Sequence, residues 1–211
     1  MFIGKNNKVL KMKILAVADI HGSQYRLNLV LKNIEKYSPE LVIICGDITQ
    51  FGPGELAKNF LNQIPVQTLS ITGNIDTPDV NDAIDQSKAT NIKMKKITIR
   101  EISFIGLNEI DMDNLENFNK KIFLNRKSVL VSHKPPYGIQ DKIFIGMHGG
   151  SKELREIIDK YKPMLVLCGH IHEDPGFTKI GETVVVNCSM GKRGEGALIK
   201  INKDISVKML D

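Results

Sequence analysis

The chain has 211 residues, of which 42% are hydrophobic and 25% charged, a composition typical of a globular protein with one sizeable core. It contains no apolar run that approaches the roughly 20 residues of a membrane span. The net charge of +5 is spread along the sequence, so charge alone favours neither a nucleic acid nor a membrane as partner.

The amino-terminal segment is not a typical secretory signal. Its apolar run, residues 14–18, is short and leads directly into the charged Asp19 rather than a small-residue cleavage site. Met12 is an alternative start, which would leave residues 1–11 as an ill-ordered tail before a single domain at 12–211. We therefore expect a cytoplasmic protein.

The cysteine pattern supports the same compartment. The three cysteines each lie inside or beside an aliphatic run, which favours buried thiols in a reducing environment over a disulfide framework. They are Cys45, Cys168 and Cys188.

Aliphatic runs alternate with helical patterns along the chain, which predicts an α/β fold with a mixed sheet or paired sheets. The predicted helices follow the capping residues Ser23 and Ser151 and cover the apolar repeat at 56–64. Short continuous aliphatic runs predict buried strands. In chain order, strands are expected at 13–18, 41–44, 66–71, 92–99, 102–106, 128–131 and 164–167, followed by hairpin strands at 176–180, 183–187, 197–201 and 205–209.

Five of these strands end at Asp, His or Asn, in the segments LAVADIHG, LVIICGDIT, LSITGNID, VLVSHKPP and LVLCGHIHE. In open α/β sheets, sites form beyond the carboxyl ends of strands. A glycine precedes the polar residue in three segments, which suits a sharp exit with close backbone approach. We expect one edge to gather Asp19, His21, Asp47, Asn74, His133, His170 and His172.

These side chains predict a site for divalent metal ions. The pairs Asp19/His21 and His170/His172 are each two residues apart, so extended backbone would point both members toward one centre. Imidazole, carboxylate and amide oxygen suit Zn, Mn, Fe or Ni. Seven ligands exceed one tetrahedral ion but fit two ions roughly 3.5–4 Å apart that share a carboxylate. A single His or Asp at a strand end is usually structural, but four of the five histidines lie at such ends.

From Ile14 to about Val186, the chain resembles the calcineurin-like metallophosphoesterases. The resemblance is carried by five motifs in a fixed order: Asp-x-His, Gly-Asp, Gly-Asn, a lone His and Gly-His-x-His. The resemblance implies a four-layer α/β/β/α sandwich and hydrolysis of phosphate esters by a hydroxide that bridges two metal ions. It also implies the ligand sets: Asp19, His21 and His172 for one ion, Asn74, His133 and His170 for the other, and Asp47 as the bridge.

One position departs from the family pattern. Much of the family has a His after the Asn of Gly-Asn, and that His is thought to protonate the leaving oxygen; here the residue is Ile75. General acid assistance is typically worth about 10²–10⁴-fold. We therefore expect phosphodiester substrates, such as small diesters or nucleotides, rather than phosphomonoesters.

His148 is a candidate substitute for the missing acid. It precedes Ser151 in the loop that leaves the His133 strand, and similar members of the family have a comparable His-x-Gly-Ser segment. The hypothesis is that His148 donates a proton or hydrogen bond to the bound diester. The alternative is a loop residue that packs near a helix start.

Other functions are left open by the sequence. A non-catalytic metal-binding interaction protein on the same fold would have lost ligands, whereas all seven are present. A phosphomonoesterase is disfavoured by Ile75. Nucleic acid as substrate would need a basic groove that the diffuse charge does not indicate, and a homo-oligomer is an alternative based only on the aliphatic helices.

Overall fold

The computed structural model describes residues 11–107 and 124–211. The strands in this part of the chain are β1 (Met12–Val17), β2 (Leu41–Cys45), β3 (Thr68–Ile71), β4 (Thr90–Asn91), β5 (Lys96–Ile99), β6 (Ile102–Gly106), β7 (Ser128–Val131), β8 (Leu165–Cys168), β9 (Gly176–Ile180), β10 (Thr183–Asn187), β11 (Ala197–Ile201) and β12 (Ile205–Met209). The helices are α1 (Gln24–Tyr37), α2 (Gly54–Gln63), α3 (Pro78–Asp85) and α4 (Lys152–Tyr161), with a 3₁₀ turn at Phe144–Gly146.

The described strands form two six-stranded mixed sheets. The first has the order β12-β11-β1-β2-β3-β4 and the second β5-β6-β7-β8-β10-β9. Strands β1 to β4 run parallel, with β11 antiparallel to β1 and β12 antiparallel to β11. In the second sheet β6, β7, β8 and β10 run parallel between antiparallel edge strands.

Three apolar clusters define the layers. Alternate residues of β1 point to opposite faces, so Ile14 joins the cluster between the two sheets while Leu15 joins the cluster beneath α1, α2 and α3. A third cluster packs Leu154 and Ile157 of α4 against Val166 of the second sheet. The predicted four-layer α/β/β/α sandwich is therefore confirmed, and burial on both faces explains the continuous aliphatic runs.

The predicted helix starts are also confirmed. The Ser23 side chain accepts a hydrogen bond from the backbone N–H of Arg26 at 3.4 Å, and that of Ser151 accepts one from Leu154 at 3.0 Å. Each cap satisfies a backbone N–H that has no partner within its own helix.

Three details differ from the sequence prediction or lie outside the described residues. The strand predicted over 92–99 is wrong in its bounds, because the chain turns through Met94 at φ +53° between β4 and β5. Helix α3 was not predicted, since its short apolar repeat is weak. The tail predicted for residues 1–11 lies outside the described residues except for Lys11. Among the helices of the described ranges, none has the length and apolar character needed to cross a membrane.

Candidate metal centre

The structure brings all seven predicted residues to one edge of the sandwich, where β1, β2, β3, β7 and β8 end. On one side lies the Asp19 cluster, formed by Asp19, His21 and His172. The Nε2 atoms of its two imidazoles are 3.3 Å apart. The Oδ1 atom of Asp19 lies 3.5 Å from Nε2 of His172 and 4.0 Å from Nε2 of His21. One carboxylate and two imidazoles thus face a common point.

On the other side lies the Asp47 cluster, formed by Asp47, Asn74 and His133. The Nε2 atom of His133 is 2.9 Å from Oδ1 of Asn74 and 3.3 Å from Oδ2 of Asp47. The ring of His170 packs edge-on against that of His133, with ring centroids 5.0 Å apart. Asp19 also lies within 4.8 Å of both Asp47 and His133, measured between candidate ligand atoms. Asp19 therefore links the two clusters, and the bridging role expected of Asp47 stays a prediction.

The backbone expectation for the paired residues is wrong. Four of the seven residues adopt left-handed conformations rather than extended ones, with φ of +63° at Asp19, +53° at His21, +50° at Asp47 and +69° at His170. Non-glycine residues adopt this region infrequently, and such strain is concentrated at functional sites. The side chains therefore converge through left-handed turns at the strand exits and not through extended backbone.

The glycines predicted to allow close approach do so. A Cβ at Gly73 would lie 2.0 Å from Oδ1 of Asp47, and one at Gly169 would lie 2.9 Å from Oδ2 of Asp19. A Cβ at Gly46 would lie 2.7 Å from the Cα of Gly73. Any side chain at these positions would displace a carboxylate or the adjoining backbone.

The ring of His133 is oriented by a backbone carbonyl. Its Nδ1–H donates to the carbonyl oxygen of Cys45 at 2.8 Å, which leaves Nε2 as the ring nitrogen that faces the Asp47 cluster. Such a partner behind a ligating histidine fixes both the tautomer and the ring angle.

Asp76 holds the two loops that carry Asp47 and Asn74. One of its carboxylate oxygens accepts hydrogen bonds from the backbone N–H of Ile48 at 3.1 Å and of Gly73 at 3.0 Å. The other accepts from Thr49, from the N–H at 2.8 Å and from the hydroxyl at 2.9 Å. This carboxylate therefore fixes the spacing of the β2 and β3 exits.

Arg26 performs a similar role for the Asp19 cluster. Its guanidinium donates to the carbonyl oxygen of Asp19 at 2.8 Å and to that of Gly191. No sequence signal distinguishes Arg26 from the exposed cations of a surface helix.

The carboxylates and imidazoles of the site stabilise one another's charge. Burial alone would raise the pKa of Asp19, but hydrogen bonding to His172 and the nearby His133 lower it below its ordinary value. Burial lowers the pKa of His133, yet the bond to Asp47 raises it overall, and the bond to Asp19 raises the pKa of His172. The carboxylate of Asp19 is therefore ionised and available as a ligand.

Two other imidazoles are held neutral. Burial, followed by the nearby charge of His133, lowers the pKa of His170 to about 4. Burial likewise lowers the pKa of His21. Neutral imidazole is the form that binds a metal ion.

The donor set fits divalent metal ions. Ligand atoms at about 2.0–2.1 Å from an ion lie about 3.0–3.4 Å from each other, and the two imidazole nitrogens of the Asp19 cluster are 3.3 Å apart. Two facing nitrogens can share only one proton, whereas a cation between them would use both lone pairs. Imidazole, carboxylate and amide oxygen together suit first-row divalent ions.

A cleft of about 1000 Å³ opens beside the Asp47 cluster. Its walls are the β3–α3 turn on one side and the start of α4 on the other, and both signs of charge are represented. The charged residues that line it are Asp76, Asp82, Lys93, Lys134, Lys152 and Glu153. A smaller hollow of about 470 Å³ lies beside His21.

The two remaining positions of interest have distinct surroundings. The N–H of Ile75 donates to Oδ1 of Asp47 at 3.1 Å, so this residue contributes its backbone to the site. The Nδ1 atom of His148 lies 2.6 Å from Oδ1 of Asp141, and the next residue, Gly149, lines the cleft. The catalytic role of His148 stays a prediction.

Comparison with known proteins agrees with the resemblance seen in the sequence. A family described as calcineurin-like phosphoesterase matches residues 12–174. The chain belongs to the calcineurin-like phosphoesterase family. Enzymes of this family use divalent metals, and the candidate ligand groups lie in the matched region and on this fold.

Individual relatives vary in coverage. An uncharacterized protein of Methanocaldococcus jannaschii is 33% identical over 197 residues, covering 84% of this chain and 88% of the relative. A probable glycerophosphodiester phosphodiesterase, GpdQ of Arcobacter nitrofigilis, is 30% identical over 176 residues. That match covers 73% of this chain but only 64% of the relative, less than two thirds of its length. The crystal structure of TT1561 from Thermus thermophilus has a TM-score of 0.72 at 15% identity and covers 96% of this chain and 100% of that chain, a similarity of fold.

Proposed function

We propose that this protein is a phosphodiesterase that holds two divalent metal ions, Mn, Fe, Ni or Zn, at the edge where the two sheets end. The observation that carries the proposal is the meeting of two groups of candidate ligand atoms at that edge, Asp19/His21/His172 and Asp19/Asp47/His133, with Asp19 in both. The proposed ligands are Asp19, His21, Asp47, Asn74, His133, His170 and His172.

The proposed chemistry follows from charge. Two divalent ions, when bound beside two carboxylates, supply a net charge of about +2 that attracts a phosphate anion and activates water. The side chains of this protein would hold the ions in fixed positions. Asp19 is buried and ionised, and the ring of His133 is oriented by its hydrogen bond to the carbonyl oxygen of Cys45. Preorganised charge of this kind is usually the largest contribution to catalysis in such sites.

A diester substrate is favoured over a monoester. The side chain of Ile75 offers neither a proton nor a hydrogen bond at the position where much of the family has a histidine. The relative from Arcobacter nitrofigilis is described as a probable phosphodiesterase, which supports the same choice. The cleft beside the Asp47 cluster, at about 1000 Å³, has room for a small diester or a nucleotide.

The test is metal-dependent turnover. The purified protein is stripped with chelator and reloaded separately with Mn, Fe, Ni, Zn or Mg, and cleavage of a nitrophenyl diester and a nitrophenyl monoester is measured. We expect metal to restore diester cleavage and the diester to be preferred. Two bound ions per chain without turnover on a broad panel of diesters would instead favour a non-catalytic interaction protein, and preference for the monoester would contradict the substrate class.

A further inference from the structure

A buried carboxylate lies in the loop between β7 and α4 and is not among the seven proposed ligands. Asp141 is 0% exposed. Its Oδ2 atom accepts hydrogen bonds from the backbone N–H of Gly138 and of Gly150, both at 3.0 Å. Its Oδ1 atom lies 2.6 Å from Nδ1 of His148. Since a carboxylate at this distance accepts the hydrogen bond, His148 carries its proton on Nδ1 whichever charge state it adopts.

This arrangement leaves the other imidazole nitrogen as the reactive one. The side chain of His148 is 32% exposed, and on one side its ring lies against Tyr137 with centroids 5.3 Å apart. The Nε2 atom can therefore exchange a proton with a bound molecule while Nδ1 stays bonded to the carboxylate. A histidine held in this way by a buried carboxylate is the usual arrangement of a general acid or base.

The loop that carries the pair is fixed to the turn that carries two proposed ligands, His170 and His172. A Cβ at Gly149 would lie 3.0 Å from Cδ1 of Ile171, the residue between them. The buried amide of Asn187 donates to the carbonyl oxygens of Gln140 at 3.2 Å and of Ile171 at 2.8 Å. The loop of His148 is thus in contact with the turn between two proposed ligands, and its Gly149 and Gly150 line the cleft beside the Asp47 cluster.

We propose that His148 and Asp141 form a proton-donating pair for the leaving group of the diester, with His148 as the catalytic residue and Asp141 as its positioning residue. The inference rests on the proposed phosphodiesterase function. The pair would supply the acid that Ile75 cannot. The hydrogen bond that Asp141 accepts from Nδ1 would stabilise the protonated imidazole.

The proposed step balances as a hydrolysis. An oxygen from water forms a bond to phosphorus, and the bond from phosphorus to the leaving oxygen breaks with its electron pair on that oxygen. The leaving oxygen takes the proton from Nε2 of His148, and the proton lost by the attacking water reprotonates the imidazole through solvent. One diester and one water give one monoester and one alcohol.

Changing the leaving group distinguishes a catalytic pair from a purely structural one. Alkoxides need a proton to leave, whereas nitrophenolate does not, so general acid assistance acts mainly on alkyl diesters. We expect His148→Ala to lower kcat by about 10²–10⁴-fold on an alkyl phosphodiester and by far less on a nitrophenyl diester. The same variant should lose the fall in kcat at high pH that deprotonation of the acid produces.

Asp141→Asn separates positioning from catalysis. An amide oxygen turned toward His148 can still accept the Nδ1 hydrogen bond but carries no charge to stabilise the imidazolium, and the NH₂ group then faces the N–H groups of Gly138 and Gly150 without accepting from them. We expect the high-pH limb of the kcat profile on the alkyl diester to move to lower pH, with the nitrophenyl reaction little changed. Lys142→Ala is the matched control, because this exposed side chain lies beside Asp141 in the same loop and should leave both reactions unchanged.

Each variant is assayed in the metal-loaded full chain, with bound metal and thermal unfolding measured alongside. Equal loss on both substrates, or no loss on either, in His148→Ala would overturn the pair while leaving the proposed function intact. If Asp141→Asn does not fold, the leaving-group dependence of His148→Ala decides alone. Absence of diester turnover in the metal-loaded wild-type protein would overturn the proposed function, and the pair with it.

Discussion

The two sheets contribute different chemistry to the candidate metal centre. Strands of the first sheet lead to every oxygen donor and one imidazole, whereas strands of the second lead only to imidazoles. The first set is Asp19, His21, Asp47 and Asn74, and the second is His133, His170 and His172.

Each set is held in position by the opposite sheet. The backbone N–H of His170, beyond the second sheet, donates to Oδ2 of Asp19 at 3.0 Å. In the other direction, the ring of His133 donates to the carbonyl oxygen of Cys45 at the end of the first sheet, at 2.8 Å. The site therefore depends on how the two sheets pack together, and neither sheet carries it alone.

The largest effect should come from removing the charge of Asp19, the carboxylate that links the two clusters. Asp19→Asn takes away the charge that would offset the bound cations, and it weakens both groups of candidate ligand atoms that contain Asp19, the one with His21 and His172 and the one with Asp47 and His133. We expect metal content to fall below two ions per chain and diester turnover to be abolished. Asp159→Asn is the control, because it removes the same charge from the exposed ion pair with Arg155 on α4. Two tightly bound ions and unchanged turnover in Asp19→Asn would contradict the shared role.

A smaller but still large effect should follow from Gly73→Ala. The new methyl group would lie 2.0 Å from Oδ1 of Asp47, so backbone and carboxylate must move. We expect the free energy of unfolding to fall by about 1–3 kcal/mol, with loss of bound metal. Gly181→Ala is the matched control, because Gly181 has a φ of +55° and open space around it. Its free energy of unfolding should fall by about 1–2 kcal/mol, and its metal content should not change. Chemical denaturation and metal analysis check both, and full metal content in Gly73→Ala would show that the close approach is dispensable.

Asp76→Asn tests the hydrogen bonds that join the β2 and β3 exits. An amide can accept only part of the four hydrogen bonds that the carboxylate receives, so Asp47 and Asn74 lose their fixed spacing. We expect metal affinity to fall by about 10–100-fold. Asp79→Asn makes a useful comparison, because Asp79 also caps a backbone N–H, that of Gly54 at 2.6 Å, away from the proposed ligands. Equal affinities in the two variants would refute the role of Asp76.

The smallest effect is expected for Arg26→Lys. An ammonium group cannot span the carbonyl oxygens of Asp19 and Gly191 as the guanidinium does. Loss of one such hydrogen bond costs about 1 kcal/mol of free energy, so metal affinity should fall several-fold. Turnover of the fully loaded protein should stay near that of the wild type. Isothermal titration with Mn or Zn would measure this, and an affinity equal to that of the wild type would show that the bridge is unimportant.

Much of the fold and the identity of the candidate ligands could be predicted from local sequence patterns. Continuous aliphatic runs located the buried strands because both faces of each sheet are covered, and Ser23 and Ser151 marked helix starts through backbone hydrogen bonds that depend only on nearby residues. The ordered motifs predicted the family, which the match over residues 12–174 confirms.

Features that depend on contacts between residues far apart in the sequence could not be predicted from local patterns. Four similar strands end the chain, yet β9 and β10 join the second sheet while β11 and β12 join the first, and no local signal separates the two hairpins. The left-handed turns at Asp19 and His170 arise from the packing of neighbouring strand exits. Asp141 and Arg26 have the appearance of ordinary surface residues in the sequence, because their roles depend on partners brought close only by the fold.

The most direct test of the central claim is the metal content of the folded protein measured together with its diester turnover. We expect chelator-stripped protein to be inactive but folded, to take up two divalent ions per chain, and to regain turnover as the second ion binds. Folded protein that takes up no ion tightly, or that cleaves diesters equally well after complete removal of metal, would contradict the account.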